Sequence, residues 1–141
     1  MSLGLDHIQL AMPPGGEGAA RAFWCGIVGL AELPKPAALR DRGGLWLRLD
    51  GSELHLGVQP NFTPATKAHP GFVTSDIATL ATLLVEAQHP IDWDTALNDR
   101  RRFFTEDPFG NRLEFLQTHP ASSCPEISPP EASDPATGAT A

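Results

Sequence analysis

Four side chains able to hold a metal ion recur at two closely matched intervals. His7 and His55 stand 48 residues apart, and His69 and Glu114 stand 45 apart. Imidazole and carboxylate are the donors that borderline divalent ions such as Zn, Ni, Fe or Mn accept. Three or four protein ligands leave coordination positions open for water or substrate, which a catalytic site requires. A single histidine on a strand is ordinarily a surface or core residue. The equivalence of the positions carries the reading, because Gly51 precedes His55 by four residues and Gly110 precedes Glu114 by four.

The elements that must position these groups read as a repeat. Residues 6–10 alternate as a strand, and Gly15-Gly16 breaks the chain before a helical stretch with Ala20, Phe23, Trp24 and Ile27 at i, i+3, i+4, i+7 spacing. Gly29 suits a helix stop. Residues 45–49 and 54–58 predict two strands joined at Asp50-Gly51, a dipeptide favoured in tight hairpins. A Pro-containing linker over 59–67 follows, and the pattern restarts. Residues 69–74 are strand-like, Ser75 or Asp76 can cap a helix bearing Ile77, Leu80, Ala81 and Leu84 on one side, and 91–94 is a short strand. Residues 102–106 and 112–117 predict a hairpin around Asp107-Pro108-Phe109-Gly110-Asn111.

Each half is therefore a βαβββ unit, one over 5–58 and one over 68–117. The fold class is α+β, with a curved mixed sheet and helices on its outer face. Strand alternation puts His7 and Gln9 opposite Ile8 and Leu10, Glu53 and His55 opposite Leu54 and Leu56, and Arg112 and Glu114 opposite Leu113 and Phe115. The apolar faces pack under the helices, and the polar faces line a concave surface suited to a small ligand. A pseudo-twofold relation between the units would bring all four candidate ligands toward one axis.

Composition narrows the classes further. The 141 residues fit one domain, and a formal charge of −7 argues against a nucleic-acid partner. No apolar run approaches the roughly 20 residues of a membrane span, and no secretory signal is visible, so a cytoplasmic protein is expected. The two cysteines, Cys25 and Cys124, make no disulfide framework. The chain contains no Tyr and only two Lys, Lys35 and Lys67, which excludes a Tyr acid. Residues 118–141 hold five of the fourteen prolines and three of the seven net negative charges, and read as an exposed Pro-rich acidic tail.

Arg100-Arg101-Arg102 is by default a solvated charge run. Arg102 is also a candidate for pairing with a carboxylate or phosphonate on a substrate. Trp46, Trp93 and Phe104 read either as core or as pocket lining. Gln9 shares the face of His7 and is taken with Trp46, Arg102 and Phe104 as a substrate-binding candidate. Cys25 reads as a packed thiol, and His89 and His119, each beside a proline, as residues facing water. No GxSxG, P-loop or dinucleotide glycine pattern occurs.

Asp6-His7-Ile8-Gln9-Leu10, the stretch Ala22-Phe23-Trp24 through Val28-Gly29-Leu30, His69-Pro70-Gly71-Phe72, and above all Glu106-Asp107-Pro108-Phe109-Gly110-Asn111-Arg112-Leu113-Glu114-Phe115 resemble the vicinal oxygen chelate superfamily. This group includes glyoxalase I, bleomycin-resistance proteins, fosfomycin-modifying enzymes and extradiol dioxygenases. The resemblance covers about residues 5–117. It implies a homodimer whose cavities are each completed by the partner, and a divalent metal held by His7, Glu114 and one or both of His55 and His69. The four-ligand pattern is similar to glyoxalase I, except that His55 stands where a carboxylate is usual, which leaves Glu114 as the base among the four. The missing Tyr separates the chain from typical extradiol dioxygenases. Two functions follow as expectations: a metal-dependent lyase, isomerase or thiol transferase acting on a small oxygen-bearing substrate, or a metal-free drug- or metabolite-binding protein of the bleomycin-resistance kind.

Overall fold

A computed structural model describes residues 1–119. The Pro-rich segment expected as a tail lies outside the described residues apart from Thr118 and His119. The chain runs β1 (His7–Met12), α1 (Glu17–Arg21), β2 (Glu32–Leu33), β3 (Leu45–Arg48), β4 (Glu53–Val58), β5 (Gly71–Thr74), α2 (Ile77–Glu86), β6 (Asp92–Asp94), β7 (Arg102–Glu106) and β8 (Arg112–Gln117). The mixed sheet is present as two four-stranded halves of identical topology, ordered β1-β4-β3-β2 and β5-β8-β7-β6. In each half the first strand is an edge that pairs parallel to the last, and the remaining pairings are antiparallel.

Local chemistry explains where the elements start and stop. Asp76 caps α2, accepting from the Thr79 backbone N–H at 3.0 Å and from its hydroxyl at 2.6 Å. The β3–β4 turn closes with Leu49 N–H donating to Ser52 O at 3.0 Å, and Gly51 takes a φ of 74° that a side chain would resist. In the β7–β8 turn Asp107 Oδ1 accepts from the backbone N–H groups of Phe109 and Asn111, both at 2.9 Å, and Oδ2 accepts from Asn111 Nδ2 at 2.8 Å. Asn111 Nδ2 also donates to the carbonyl of Ala11, 2.8 Å away on β1, so the turn of the second unit is fastened to the first.

The first helix departs from the spacing-based expectation. After Arg21 the backbone widens into a π-helical stretch over Ala22–Ile27, with Val28 N–H bonding five residues back to Phe23 O at 2.9 Å. The wider turn still buries Phe23 and Trp24 together. A 3₁₀ turn over Ala37–Arg42 and the two-residue strand β2 were also absent from the sequence reading.

A single core joins the units. Leu45, Leu47, Leu54 and Leu56 of the first sheet cluster with Leu113, Phe103 and Phe115 of the second, together with Phe23, Trp24, Ile77, Leu80 and Leu84 from the helical segments. The Trp24 indole meets Phe72 of β5 edge-on at 5.8 Å between centroids, so the first helix packs on the second sheet. Burying each of these side chains stabilises the fold by about 1.5–3 kcal/mol. Since both apolar faces turn toward this common core, the two polar faces turn away from it. Among the described residues no helix is long and apolar enough to cross a membrane.

Candidate metal centre

The polar face of the first sheet presents a stack of three rings. Strand register sets Gln9 of β1, His55 of β4 and Trp46 of β3 in one row across the sheet. His7 lies two residues before Gln9, on the edge strand and the same face. The Trp46 and His55 rings are parallel to within 1° with centroids 4.2 Å apart. His7 covers the other face of His55 at 4.3 Å and 17°. Each imidazole is also fixed through one nitrogen: His7 Nδ1 lies 2.7 Å from Asp6 Oδ1 and His55 Nε2 lies 2.7 Å from Glu53 Oε2. A carboxylate can only accept, so these contacts place a ring proton on Nδ1 of His7 and on Nε2 of His55. In those tautomers the other nitrogen of each ring carries the lone pair.

The corresponding row of the second sheet is Gly71, Glu114 and Phe104. His69 precedes Gly71 by two residues, as His7 precedes Gln9, so the equivalence inferred from hairpin spacing is present in the strand register. His69 Nδ1 donates to the Lys67 carbonyl at 2.9 Å, which leaves the lone pair on Nε2. That nitrogen faces Glu114 Oε2 at 3.3 Å. The other Glu114 oxygen accepts from Arg102 Nη1 at 2.8 Å, and Arg102 is itself held by Asp94 Oδ1 through Nε at 3.1 Å and Nη2 at 3.0 Å. Gly71 leaves room for this carboxylate, because a methyl there would sit 3.3 Å from Glu114 Oε2. Phe104 stands edge-on to His69 with centroids 5.5 Å apart.

Imidazole and carboxylate are donor types that a divalent ion accepts. Metal-bound imidazoles usually donate their second N–H to a carboxylate or backbone carbonyl, as all three of these histidines do. Within one chain, however, the candidates form two pairs. Among the described residues no three His, Cys, Asp or Glu side chains converge so as to hold a metal ion. The outward turn of both polar faces accounts for that separation: the two units bury their apolar sides in a common core and carry the two candidate pairs on their opposite faces.

No family model matches the chain, and neither does any curated protein sequence. Solved structures do match. A glyoxalase family protein from Bacillus anthracis is 42% identical, aligns over 84% of this chain and 97% of its own length, and superposes with a TM-score of 0.80. The chain belongs to the glyoxalase family, within the vicinal oxygen chelate superfamily. A glyoxalase/dioxygenase from Nostoc punctiforme shares the fold at 24% identity and a TM-score of 0.69, over 83% of this chain and 91% of its own. The fosfomycin resistance protein FosX from Listeria monocytogenes does so at 14% identity and 0.67, over 84% and 95%.

The other residues singled out in this glyoxalase-family chain fall into distinct places. Trp46 and Phe104, ambiguous between core and lining, both stand half-buried on the polar faces. Gln9 is exposed on the same face as His7. Arg102, a candidate to meet an anionic substrate, donates three hydrogen bonds to Asp94 and Glu114. Of its neighbours, Arg101 lies over the Trp93 ring at 4.5 Å. Cys25 packs against the core, and burial pushes its thiol above the ordinary range, as a structural rather than nucleophilic cysteine requires. His89, expected in water, instead packs half-buried against the edge of Phe23 at 4.8 Å.

Sequence reasoning missed the groups that orient the candidates. Asp6 and Glu53 could have been found, being one and two residues from His7 and His55, with Glu53 on the shared face. Asp94 gave no signal, because its link to Arg102 depends on the β6–β7 register. Arg112, two residues before Glu114, lies with its guanidinium 4.4 Å from the Phe104 ring centroid.

Proposed function

We propose that this chain is a divalent-metal-dependent enzyme of the vicinal oxygen chelate type, a lyase, isomerase or thiol transferase acting on a small oxygen-bearing substrate. The contact between His69 Nε2 and Glu114 Oε2 carries the reading. With His69 protonated on Nδ1, two lone pairs face each other at 3.3 Å. A second ring proton would satisfy them, but charge-assisted hydrogen bonds close to about 2.7–2.9 Å, as the His7–Asp6 and His55–Glu53 contacts do at 2.7 Å. Neighbouring ligands around one ion, each at about 2.0–2.2 Å from it, stand roughly 3.0–3.5 Å apart. The observed separation suits a shared ion better than a shared proton.

His69 and Glu114 of one copy would hold the ion together with His7, alone or with His55, of a second. Two features support a second copy. Each candidate pair faces away from the core, and among the described residues both sheets end in an unpaired edge strand beside a large exposed apolar side chain, Leu5 before β1 at 62% exposure and Val73 on β5 at 63%. A homodimer that laid the polar face of one unit over that of the other would close the cavity with Trp46 and Phe104 in its walls. When bound, the ion supplies Lewis-acid stabilisation of negative charge on substrate oxygen. The chain's own contribution is to hold Glu114 by one oxygen through Arg102, leaving the other free to bind or to accept a substrate proton.

Metal analysis of protein purified without chelator and supplemented with Zn, Ni, Mn or Fe tests this. About one ion per chain is expected, lost on His69→Ala or Glu114→Ala. Less than about 0.1 ion per chain would overturn the enzyme reading in favour of a metal-free binding protein. A strictly monomeric species that retains full metal content would overturn the shared cavity.

A further inference from the structure

We propose that the cleft between the two units, on the core side of the sheets, binds an uncharged, largely apolar small molecule whose one hydrogen-bond acceptor is received by the indole N–H of Trp24. This site stands apart from the candidate metal ligands. Strand alternation turns Ile8 and Phe72, which line the cleft, away from the faces that carry His7 and Glu114.

The cleft has a volume of about 440 Å³, within the range of small-molecule sites, and both units line it. Trp24, Val28 and Leu30 come from the π-helical stretch and its exit. There the widened turn is held by Val28 N–H on Phe23 O at 2.9 Å and Leu30 N–H on Trp24 O at 2.8 Å. Such wide turns concentrate at functional sites. Phe72 and Phe115 of the second sheet and Leu80 of α2 complete the apolar lining. Trp24, Leu80 and Phe115 are buried, whereas Leu5, Val73 and Leu83 are exposed, so the lining grades from a closed floor to an open mouth.

One polar group in this lining is unanswered. Trp24 is wholly buried, and its Nε1–H has no hydrogen-bond partner among the described residues. A buried indole N–H ordinarily finds an acceptor, because leaving it unmatched forfeits the bond it made to water in the unfolded chain. Apolar side chains delivered by a second copy would fill the space without answering this donor. A small molecule with an acceptor does both. The charged residues of the lining, Asp50 and Asp76, are both acids. They disfavour an anion such as a fatty carboxylate and select a neutral acceptor such as a ketone or an ether.

Prodan, a neutral naphthalene bearing a propionyl carbonyl, serves as the probe, since its emission moves to the blue on leaving water. Saturable binding of one probe per chain is expected. Val28→Phe and Leu30→Phe should each weaken it at least about tenfold, because the added atoms take the space the probe needs. Trp24→Phe keeps an aromatic ring and removes the donor. Affinity for prodan should then fall about 3–10-fold further than affinity for ethylnaphthalene, which has no acceptor and is measured by displacement. Equal losses for the two probes, or unchanged binding in both Val28→Phe and Leu30→Phe, would overturn the site, with circular dichroism confirming that each variant is folded. Loss of binding in Trp46→Leu would put the probe on the polar face and overturn it equally. Absence of saturable binding, with Leu83→Arg converting a dimer to a monomer, would give the cleft to a second copy. None of these readouts requires a metal, so failure of the metal centre is a separate outcome.

Discussion

The two units set equivalent positions in equivalent register and furnish them with different chemistry. In the first the row is Gln9, His55 and Trp46; in the second it is Gly71, Glu114 and Phe104. The first half orients its imidazoles with flat rings in contact and holds no Arg or Lys in the hydrogen bonds around His7 and His55. The second sets its carboxylate with a guanidinium that is itself held by a second carboxylate. One scaffold thus supports two ways of fixing a polar side chain. Stacking holds a ring without adding charge, whereas an ion pair offsets the negative charge that a half-buried carboxylate brings. The two units can carry different chemistry in this way because their strand register is the same while their side chains differ.

The largest expected effect tests whether the halves are as equivalent in stability as in register. Leu54 and Leu113 occupy matching positions, each immediately before a candidate ligand, and both are fully buried. Leu54→Ala and Leu113→Ala should each cost about 2–5 kcal/mol, read from urea denaturation, and should each shift one common transition. Two resolved transitions would show that the halves unfold separately.

The next prediction sets the halves against each other through pH. Burial raises the Asp107 carboxyl above its ordinary value, although Asn111 and the Phe109 N–H pull the other way. In the first unit Arg21 lowers the Glu32 carboxyl. A raised acid supports the fold most below its unfolded pKa, and that support is lost as pH rises through the folded value. A lowered acid contributes above its unfolded pKa and loses that contribution as pH falls. Asp107→Asn should therefore cost about 1–3 kcal/mol near pH 4, from disturbed turn hydrogen bonds, with the gap to wild type narrowing as pH rises. The Glu32→Gln gap should open with rising pH but stay below about 1 kcal/mol, since the Arg21 pair is exposed. Urea midpoints between pH 3.5 and 7 distinguish the two signs.

Gly71→Ala is the smallest of these perturbations and the most local. It crowds Glu114 Oε2 without touching the first unit. Metal affinity should fall by about tenfold with a stability change under about 1 kcal/mol, measured by metal titration and thermal melting. Unchanged affinity would mean that the space beside Glu114 is not used for coordination.

Much of the scaffold was legible because hairpins declare themselves locally. Strands β7 and β8 fall at residues 102–106 and 112–117 as their alternation predicts, and Asp76 caps α2. β2 was not legible, because two residues show no period. The π-helical stretch was not either, since the spacing of Phe23 and Trp24 fits an α-helix equally well. At the site, matched intervals revealed the paired positions, but nothing local could show that one chain turns its two polar faces apart. The fate of Arg102 was hidden for the same reason. Its partners, Asp94 and Glu114, meet it only through strand pairing, so a run of three arginines read as free charge conceals one that is already neutralised.

The amide of Asn111 offers a last consequence, for how the chain acquires its shape. It closes the second unit's turn and reaches Ala11, 100 residues earlier, through the same nitrogen. That link can form only after nearly the whole described chain has been synthesised and the final hairpin has closed. The Asp-Pro-Phe-Gly-Asn motif is then more than a turn: it ties the last hairpin of the second unit to the first strand of the first. The first sheet can pair within itself once β4 is made, but its tie to the second unit through Ala11 must wait for the last hairpin, so docking of the two units should be the late step of folding.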